Sequence, residues 1–265
     1  MGIVVYRKRL DHPGAIHHVI VRGNNGNYIF KHDREKEKYL TLFVFYKKIH
    51  EVSLLAYCMM DNHAHFLIAT GETHIGTFMH DVQLAYSKWF HHKKDTFGLN
   101  YSGRYKNCYC AKRGYYRNLL RYIHRNPIKA GLTTDYEYPW SSFNEYQAGS
   151  GICDLDLAYE MLGENQQDAT EQFNVILSKS IEEEIEQAIM KVKSISVRDR
   201  DFIDAFFNVL EYDQKMMLGM GIEEYFLTLR MQLLEVLRWE FNVSATVIAE
   251  YFGISRSYVY RMTSG

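Results

Sequence analysis

The stretch YCMMDNHAHFLI, residues 57–68, places two histidines two positions apart in an otherwise apolar run. The side chains of a β-strand alternate between its two faces, so His63 and His65 share one face if residues 53–69 form the strand that the pattern predicts. Two imidazoles buried on one face need a polar partner. The candidates are a hydrogen-bonding network, a metal ion, or both, and for such a pair taken alone a hydrogen-bonded core position is the commoner outcome.

Length and composition describe a globular chain. It has 265 residues, of which 47% are hydrophobic, enough for one large domain or two ordinary ones. The apolar runs are shorter than the roughly 18 residues of a membrane span, and MGIVVYRKRL lacks a signal-peptide pattern, so we expect a cytoplasmic protein. The four cysteines include no CxxC pair, which favours reduced thiols. Cys108 and Cys110 can join the histidines in a mixed zinc site, although a packed strand explains their spacing as well.

Charge divides the chain into two halves. Residues 1–150 contain 21 Lys and Arg against 12 Asp and Glu, whereas residues 151–265 contain 10 against 20. This asymmetry predicts a first half that faces a polyanion and a second half with a different role.

Hydrophobic periodicity predicts alternating strands and helices in the first half. Besides the histidine strand, AIHHVIVRGNN (15–25) and RYKNCYCA (104–111) are typical of strands, and helices are predicted over 33–50, 75–92 and 115–125. The strands alternate rather than being continuously apolar, which favours an antiparallel or mixed sheet with helices packed on it. We predict a first domain over 1–148, an acidic linker with one helix (181–194) over 149–195, and a helical domain over 196–265.

A second signal lies in LRWEFNVSATVIAEYFGISRSYVYRM, residues 237–262. Ser244 suits a helix N-cap and Gly253 a turn, which together predict a helix-turn-helix. In that motif the second helix enters the major groove, so Arg256 and Tyr258, predicted to face outward, are candidate DNA contacts. The alternative is a helical hairpin that packs on its neighbours, which the acidity of this half favours.

Five motifs, in this order, resemble the IS200-like single-tyrosine transposases and especially the REP-associated tyrosine transposases: AIHHVIVRGNN, MMDNHAHFLI, SGRYK, YIHRNPIKAGL and PWSSF. The resemblance covers roughly residues 8–145. It implies an α+β fold with a ferredoxin-like antiparallel sheet and helices on it, the HUH nuclease core, followed here by an all-α C-terminal domain. Asp61 departs from the family, which usually has proline there, and Ala64 stands in the usually bulkier middle position of the histidine motif.

The resemblance also implies a site. The histidine–hydrophobic–histidine motif falls on His63 and His65, the third metal ligand on Asn126, and the nucleophile on Tyr122. A divalent ion, Mg²⁺ or Mn²⁺, would be the cofactor. Tyr122 would attack a phosphate of single-stranded or hairpin DNA, leaving a 5′-phosphotyrosine that a second 3′-hydroxyl can reverse. Tyr115, one heptad earlier, is the alternative nucleophile.

Basic side chains interleave with tyrosines in the first half, a composition suited to phosphate contacts and base stacking. Arg22, Arg104 and Lys106 are the leading DNA-binding candidates, and the wider basic set includes Arg121. We expect His124 to be surface- or DNA-facing, and one of His17 and His18 to face the core and support the metal ligands. Duplex DNA is a possible partner of the helix-turn-helix, and the protein would act as a monomer or homodimer. The alternatives to a transposase are a non-catalytic DNA-binding regulator derived from one and a rolling-circle replication initiator.

Overall fold

A computed structural model describes residues 11–94, 98, 100–110, 113–193, 199–210 and 224–263. The first part of the chain contains four strands and three long helices: β1 (Ile16–Arg22), α1 (Asp33–His50), β2 (Ser53–Met59), β3 (His63–Ala69), α2 (Ile75–Lys94), β4 (Lys106–Cys110) and α3 (Arg113–Lys129). The described residues that follow form helices: α4 (Phe143–Ala148), α5 (Leu155–Glu160), α6 (Gln166–Ser178), α7 (Ile181–Lys193), α8 (Asp199–Val209), α9 (Glu224–Glu235), a π-helical turn (Val236–Glu240), α10 (Ala245–Phe252) and α11 (Arg256–Thr263).

The chain divides into two compact units, and the division passes through α3. The first unit takes the chain up to Tyr109 together with Ile123–Ala158, and the second takes Cys110–Tyr122 together with the chain from Tyr159 onward. Residues 149–195, predicted as a linker with one helix, contain α5, α6 and α7. Residues 194–198 and 211–223 lie outside the described residues, and the predicted domain boundaries stay a prediction.

The first unit is built on a four-stranded sheet with the order β2-β3-β1-β4. Strand β3 pairs antiparallel with both β1 and β2. The element order β1-α1-β2-β3-α2-β4 with this strand order is the ferredoxin-like arrangement, so the predicted fold class is confirmed. No described helix combines the length and apolarity that crossing a membrane requires.

The prediction of one strand over 53–69 is wrong, because the chain reverses at Met60–Asn62 and forms a hairpin. Its two strands pair with Cys58 opposite His65. The reversal is fixed from elsewhere in the fold, since the Asp61 carbonyl accepts the backbone N–H groups of Ile29 (3.0 Å) and Phe30 (2.8 Å). Both histidines therefore lie on β3, an interior strand of the sheet.

One face of the sheet is covered by α1 and α2. The Phe66 ring on β3 stacks on Phe43 of α1 at a centroid distance of 4.8 Å, and Phe43 meets Phe78 of α2 edge-to-face at 4.9 Å. Because side chains alternate along β3, the packing of Phe66 against these helices directs His63 and His65 to the other face. The core of the first unit thus fixes the side of the sheet on which the histidines lie.

Helix α3 is longer than predicted. The sequence predicts its end near Arg125 with Asn126 as its last residue or cap, whereas the helix continues through Pro127 to Lys129. Proline removes only its own N–H from the helical ladder, and the Ala130 N–H still donates to the Asn126 carbonyl at 3.0 Å.

The second unit has its own apolar core. Phe206 of α8 contacts Phe241, with ring centroids 5.3 Å apart, and Phe207 contacts Phe252 of α10 at 5.4 Å. The α10–α11 pair has the predicted caps: the Ser244 hydroxyl accepts the Val247 N–H at 3.2 Å. Gly253 ends α10 with φ of 63°, a left-handed conformation that glycine adopts without strain.

Candidate active site

The histidine pair is formed as the strand pattern predicts. The rings of His63 and His65 have centroids 5.0 Å apart and are nearly perpendicular. His65 is buried, with 1% of its surface exposed, while His63 is half-buried at the start of β3. The pair therefore presents one imidazole deep in the sheet and one nearer solvent.

A neighbouring side chain orients each imidazole through its Nδ1 atom. His63 Nδ1 lies 2.6 Å from Asn62 Oδ1, and since an amide oxygen only accepts, His63 Nδ1 carries the proton and donates. His65 Nδ1 bonds His18 Nε2 at 3.0 Å, and the two rings stack with centroids 5.2 Å apart. Of the two adjacent histidines on β1, His18 therefore contacts the predicted ligand His65, while His17 contacts Asn107 (3.2 Å).

Burial keeps these imidazoles neutral. It lowers the pKa of His18 to about 3 and, together with the nearby Arg22 charge, that of His63 to about 4. The pKa of His65 is lowered well below its usual value by burial first and by His18 and His63 second. A neutral imidazole with a protonated Nδ1 keeps its lone pair on Nε2, which is the form that binds a metal ion.

This donor set fits a divalent cation only if a third ligand of another type completes it. Within the described ranges, no three His, Cys, Asp or Glu side chains come together as a metal site. Among the described residues, Cys108 and Cys110 therefore do not join the histidines in such a group, and neither forms a disulfide bond. An amide oxygen such as that of Asn126 is a ligand that Mg²⁺ and Mn²⁺ accept.

Helix α3 carries the candidate nucleophile and the candidate third ligand one turn apart. Tyr122 and Asn126 are both half-buried, and residues four apart lie one above the other on a helix. Tyr122 belongs to the second compact unit and Asn126 to the first, as do His63 and His65. The alternative nucleophile, Tyr115, is fully buried, which disfavours it as an attacking group.

Two basic side chains of α3 lie elsewhere than predicted. His124 is buried rather than surface- or DNA-facing: its Nε2 bonds the Ser142 hydroxyl at 2.9 Å, and its ring meets Tyr146 edge-to-face. Arg121 is also buried, with 1% exposed, so it cannot contact a DNA phosphate directly. Only tertiary packing reveals these positions, because neither residue stands out in the helical pattern.

The DNA-binding candidates divide by exposure. Arg22, Arg104 and Lys106 are exposed, and Arg22 is paired in register with His63 across the sheet. In α11, Arg256 is exposed as predicted. Tyr258 is half-buried instead of facing outward, because its hydroxyl accepts a hydrogen bond from Arg230 at 2.8 Å.

Comparison with known proteins found one family model and one solved structure that are similar to this chain. Residues 13–126 match the family model described as "Transposase IS200 like". A solved structure described as the REP-associated tyrosine transposase bound to a REP hairpin is similar at 18% sequence identity and a TM-score of 0.48. The match covers 57% of this chain and 93% of the other. No curated protein matches.

Proposed function

We propose that the protein is a metal-dependent tyrosine transposase that cleaves and rejoins single-stranded DNA through a 5′-phosphotyrosine intermediate. The observation that carries this proposal is the neutral pair of half-buried His63 and buried His65, which lies within the residues that match the family model described as "Transposase IS200 like". A sheet that had only to fold would be more stable with apolar side chains at these positions. Their retention, each with its Nδ1 engaged, supports a chemical use for the two Nε2 lone pairs.

The residues that would hold the cation are His63 and His65 through Nε2 and Asn126 through its amide oxygen. Mn²⁺ accepts imidazole more readily than Mg²⁺, and either ion is compatible with an amide oxygen. When bound, the ion would act as a Lewis acid on a DNA phosphate. Asn62 would hold His63 in the tautomer that leaves its Nε2 lone pair available, and His18 would orient the His65 ring.

Tyr122 would supply the nucleophile. Its phenol oxygen forms a bond to phosphorus while the bond from phosphorus to the 3′-oxygen breaks, and the phenol proton is lost as the 3′-hydroxyl is formed. A phenol with a pKa of about 10 is a weak nucleophile at neutral pH, so the reaction depends on how the phosphate is held. The phosphotyrosine conserves the linkage, and attack by another 3′-hydroxyl rejoins strands without ATP.

The substrate would be single-stranded or hairpin DNA. Arg22, Arg104 and Lys106 are exposed cations of the first unit and suit contacts to its phosphates. The α10–α11 pair would bind duplex DNA as a helix-turn-helix, with Arg256 as the leading base contact. The protein would work as a monomer or homodimer.

A non-catalytic DNA-binding regulator is the second candidate function. The capped α10–α11 pair with its exposed Arg256 favours this role, because such a module can bind a specific DNA sequence without cleaving it. A regulator has, however, no chemical use for two neutral imidazoles that keep their Nε2 lone pairs.

Covalent adduct formation distinguishes the two. The protein is incubated with Mn²⁺ and labelled single-stranded hairpin oligonucleotides from the DNA flanking its gene, and adducts are resolved on a denaturing gel. We expect an adduct that Tyr122→Phe abolishes, that the control Tyr28→Phe at an exposed tyrosine preserves, and that His63→Ala strongly reduces. Tight binding without an adduct would favour the regulator, and an adduct that survives Tyr122→Phe would exclude this nucleophile.

A further inference from the structure

Arg121, the residue before the candidate nucleophile, is a buried cation in the second unit. Its side chain is 1% exposed, and a guanidinium at that depth requires paired and hydrogen-bonded partners. Both it and Tyr122 belong to the part of α3 that groups with the C-terminal helices. The question is what this buried charge contributes next to the reacting side chain.

Ile176, Asn118 and Glu184 accept hydrogen bonds from the guanidinium. Nε donates to the Ile176 carbonyl of α6 at 2.7 Å, and Nη1 donates to Asn118 Oδ1 at 2.8 Å. The Glu184 carboxylate of α7 accepts hydrogen bonds from both terminal nitrogens, with Nη2–Oε1 at 2.6 Å and Nη1–Oε2 at 3.3 Å. The Arg121 side chain therefore ties the Tyr122 turn of α3 to α6 and α7 at once, in the forked geometry that only arginine provides.

Such a tie fixes the rotation of a helix about its axis. Neighbouring residues lie about 100° apart around an α-helix, so the direction of Arg121 determines the direction of Tyr122. Rotation by about 10° moves a group roughly 6 Å from the axis by about 1 Å. A displacement of that size can cost about 10²-fold in the rate of a reaction that depends on alignment.

We propose that the Arg121–Glu184 ion pair positions Tyr122 by fixing the rotation of its turn of α3 against α6 and α7. This inference rests on the proposed function, because it takes Tyr122 as the nucleophile. Arg121 and Glu184 are positioning residues in it and do not contact the reacting phosphate. It also assigns a role to one of the carboxylates in the acidic start of α7, where Glu182, Glu183 and Glu184 are consecutive.

The test compares the full-length protein with Glu184→Gln, which keeps the side-chain size and an acceptor oxygen but removes the charge. Glu184→Ala is the stronger variant, and Glu186→Gln, at an exposed position of the same helix, is the matched control. Single-turnover adduct formation with saturating hairpin oligonucleotide and Mn²⁺ gives a rate constant and an amplitude. Fluorescence anisotropy gives the affinity of each variant for the same oligonucleotide.

We expect the adduct rate constant to fall at least 10-fold in Glu184→Gln and further in Glu184→Ala, with amplitude and oligonucleotide affinity within twofold of wild type. Glu186→Gln should react at the wild-type rate. A role in folding alone would lower the amplitude, the fraction of competent protein, and leave the rate constant of the remaining molecules unchanged.

Two results would count against the inference, and they differ. A wild-type rate constant in Glu184→Gln, or a loss of amplitude alone, overturns the positioning role while Tyr122 chemistry stands. Absence of any Tyr122-dependent adduct in the wild-type protein overturns the proposed function and this inference with it.

Discussion

Replacing His18 by phenylalanine should make the sheet less sensitive to acid. Burial lowers the pKa of His18 to about 3, whereas the histidine of an unfolded chain titrates near 6.5. As the pH falls below about 6.5, the unfolded chain takes up the proton first, so the stability contributed by this group is complete above that pH and is lost on the way down to about 3. Between pH 6.0 and 5.0 the loss from this one imidazole is about 1 kcal/mol.

The measurement is urea-induced unfolding at pH 6.0 and 5.0, followed by pulsed hydrogen exchange of peptides from β1 and β3. His18→Phe lowers the unfolding free energy at both pH values, because His65 loses a hydrogen-bond partner. The informative quantity is the drop between the two pH values, which should be smaller in the variant by about 1 kcal/mol. His18→Phe also removes an electrostatic interaction with His18 that lowers the pKa of His65, which makes the drop between the two pH values smaller still.

His92→Gln removes a solvent-exposed imidazole and serves as the control, with a wild-type drop expected. An equal drop in wild type and His18→Phe would mean that His18 is not held neutral by burial.

Two further substitutions test the fold around the site and at the C-terminus. Gly23→Ala would place a Cβ atom 1.9 Å from the Asn27 carbonyl oxygen, so we expect the unfolding free energy to fall by about 2 kcal/mol or more. Gly76→Ala is the control, because its new Cβ would lie 3.8 Å from the Tyr105 hydroxyl. It should leave the unfolding free energy nearly unchanged in the same urea titration. Ser244→Ala removes the N-cap of α10 and should cost about 1 kcal/mol in thermal or urea unfolding of the second unit, which Ser244→Asp should largely restore.

The sequence predicts the helices of the first unit well and the histidine hairpin poorly. Helix α1 begins and ends where its pattern predicts, because amphipathic spacing and polar boundaries are local properties. Residues 54–60 and 64–69 are all buried, so the hairpin strands show no alternation that would mark their ends. What stops the strand is a set of backbone hydrogen bonds to Asp61 and Asn62 from residues more than 30 positions away, which a local pattern cannot contain.

For the site, too, the sequence predicts what depends on local periodicity and misses what depends on tertiary contacts. The shared face of His63 and His65 follows from strand periodicity, and alternation along β1 predicts that one of His17 and His18 faces the core. The pairing of β1 with β3 decides that His18 is the one that contacts His65. Arg121 is different, because a basic residue on a helix is ordinarily solvated, and only its partners on α6 and α7 make burial possible. Its place in the core depends on residues 55 and 63 positions further along the chain.

The lowered pKa values of the histidine pair allow two contributions to cation binding to be compared, namely the neutrality that burial gives and the orientation of the rings. A histidine with a pKa of about 6.5 is already roughly three-quarters neutral at pH 7, so full neutralisation improves cation binding by only about 0.2 kcal/mol per ligand. The contribution of neutralisation to cation binding grows in acid. At pH 5 an exposed imidazole is almost entirely protonated, whereas His63, with a pKa of about 4, is neutral in roughly nine-tenths of the molecules. At neutral pH the larger contribution of the fold is therefore geometric, because the contacts of Asn62 and His18 with the two Nδ1 atoms fix the orientation of both imidazole rings.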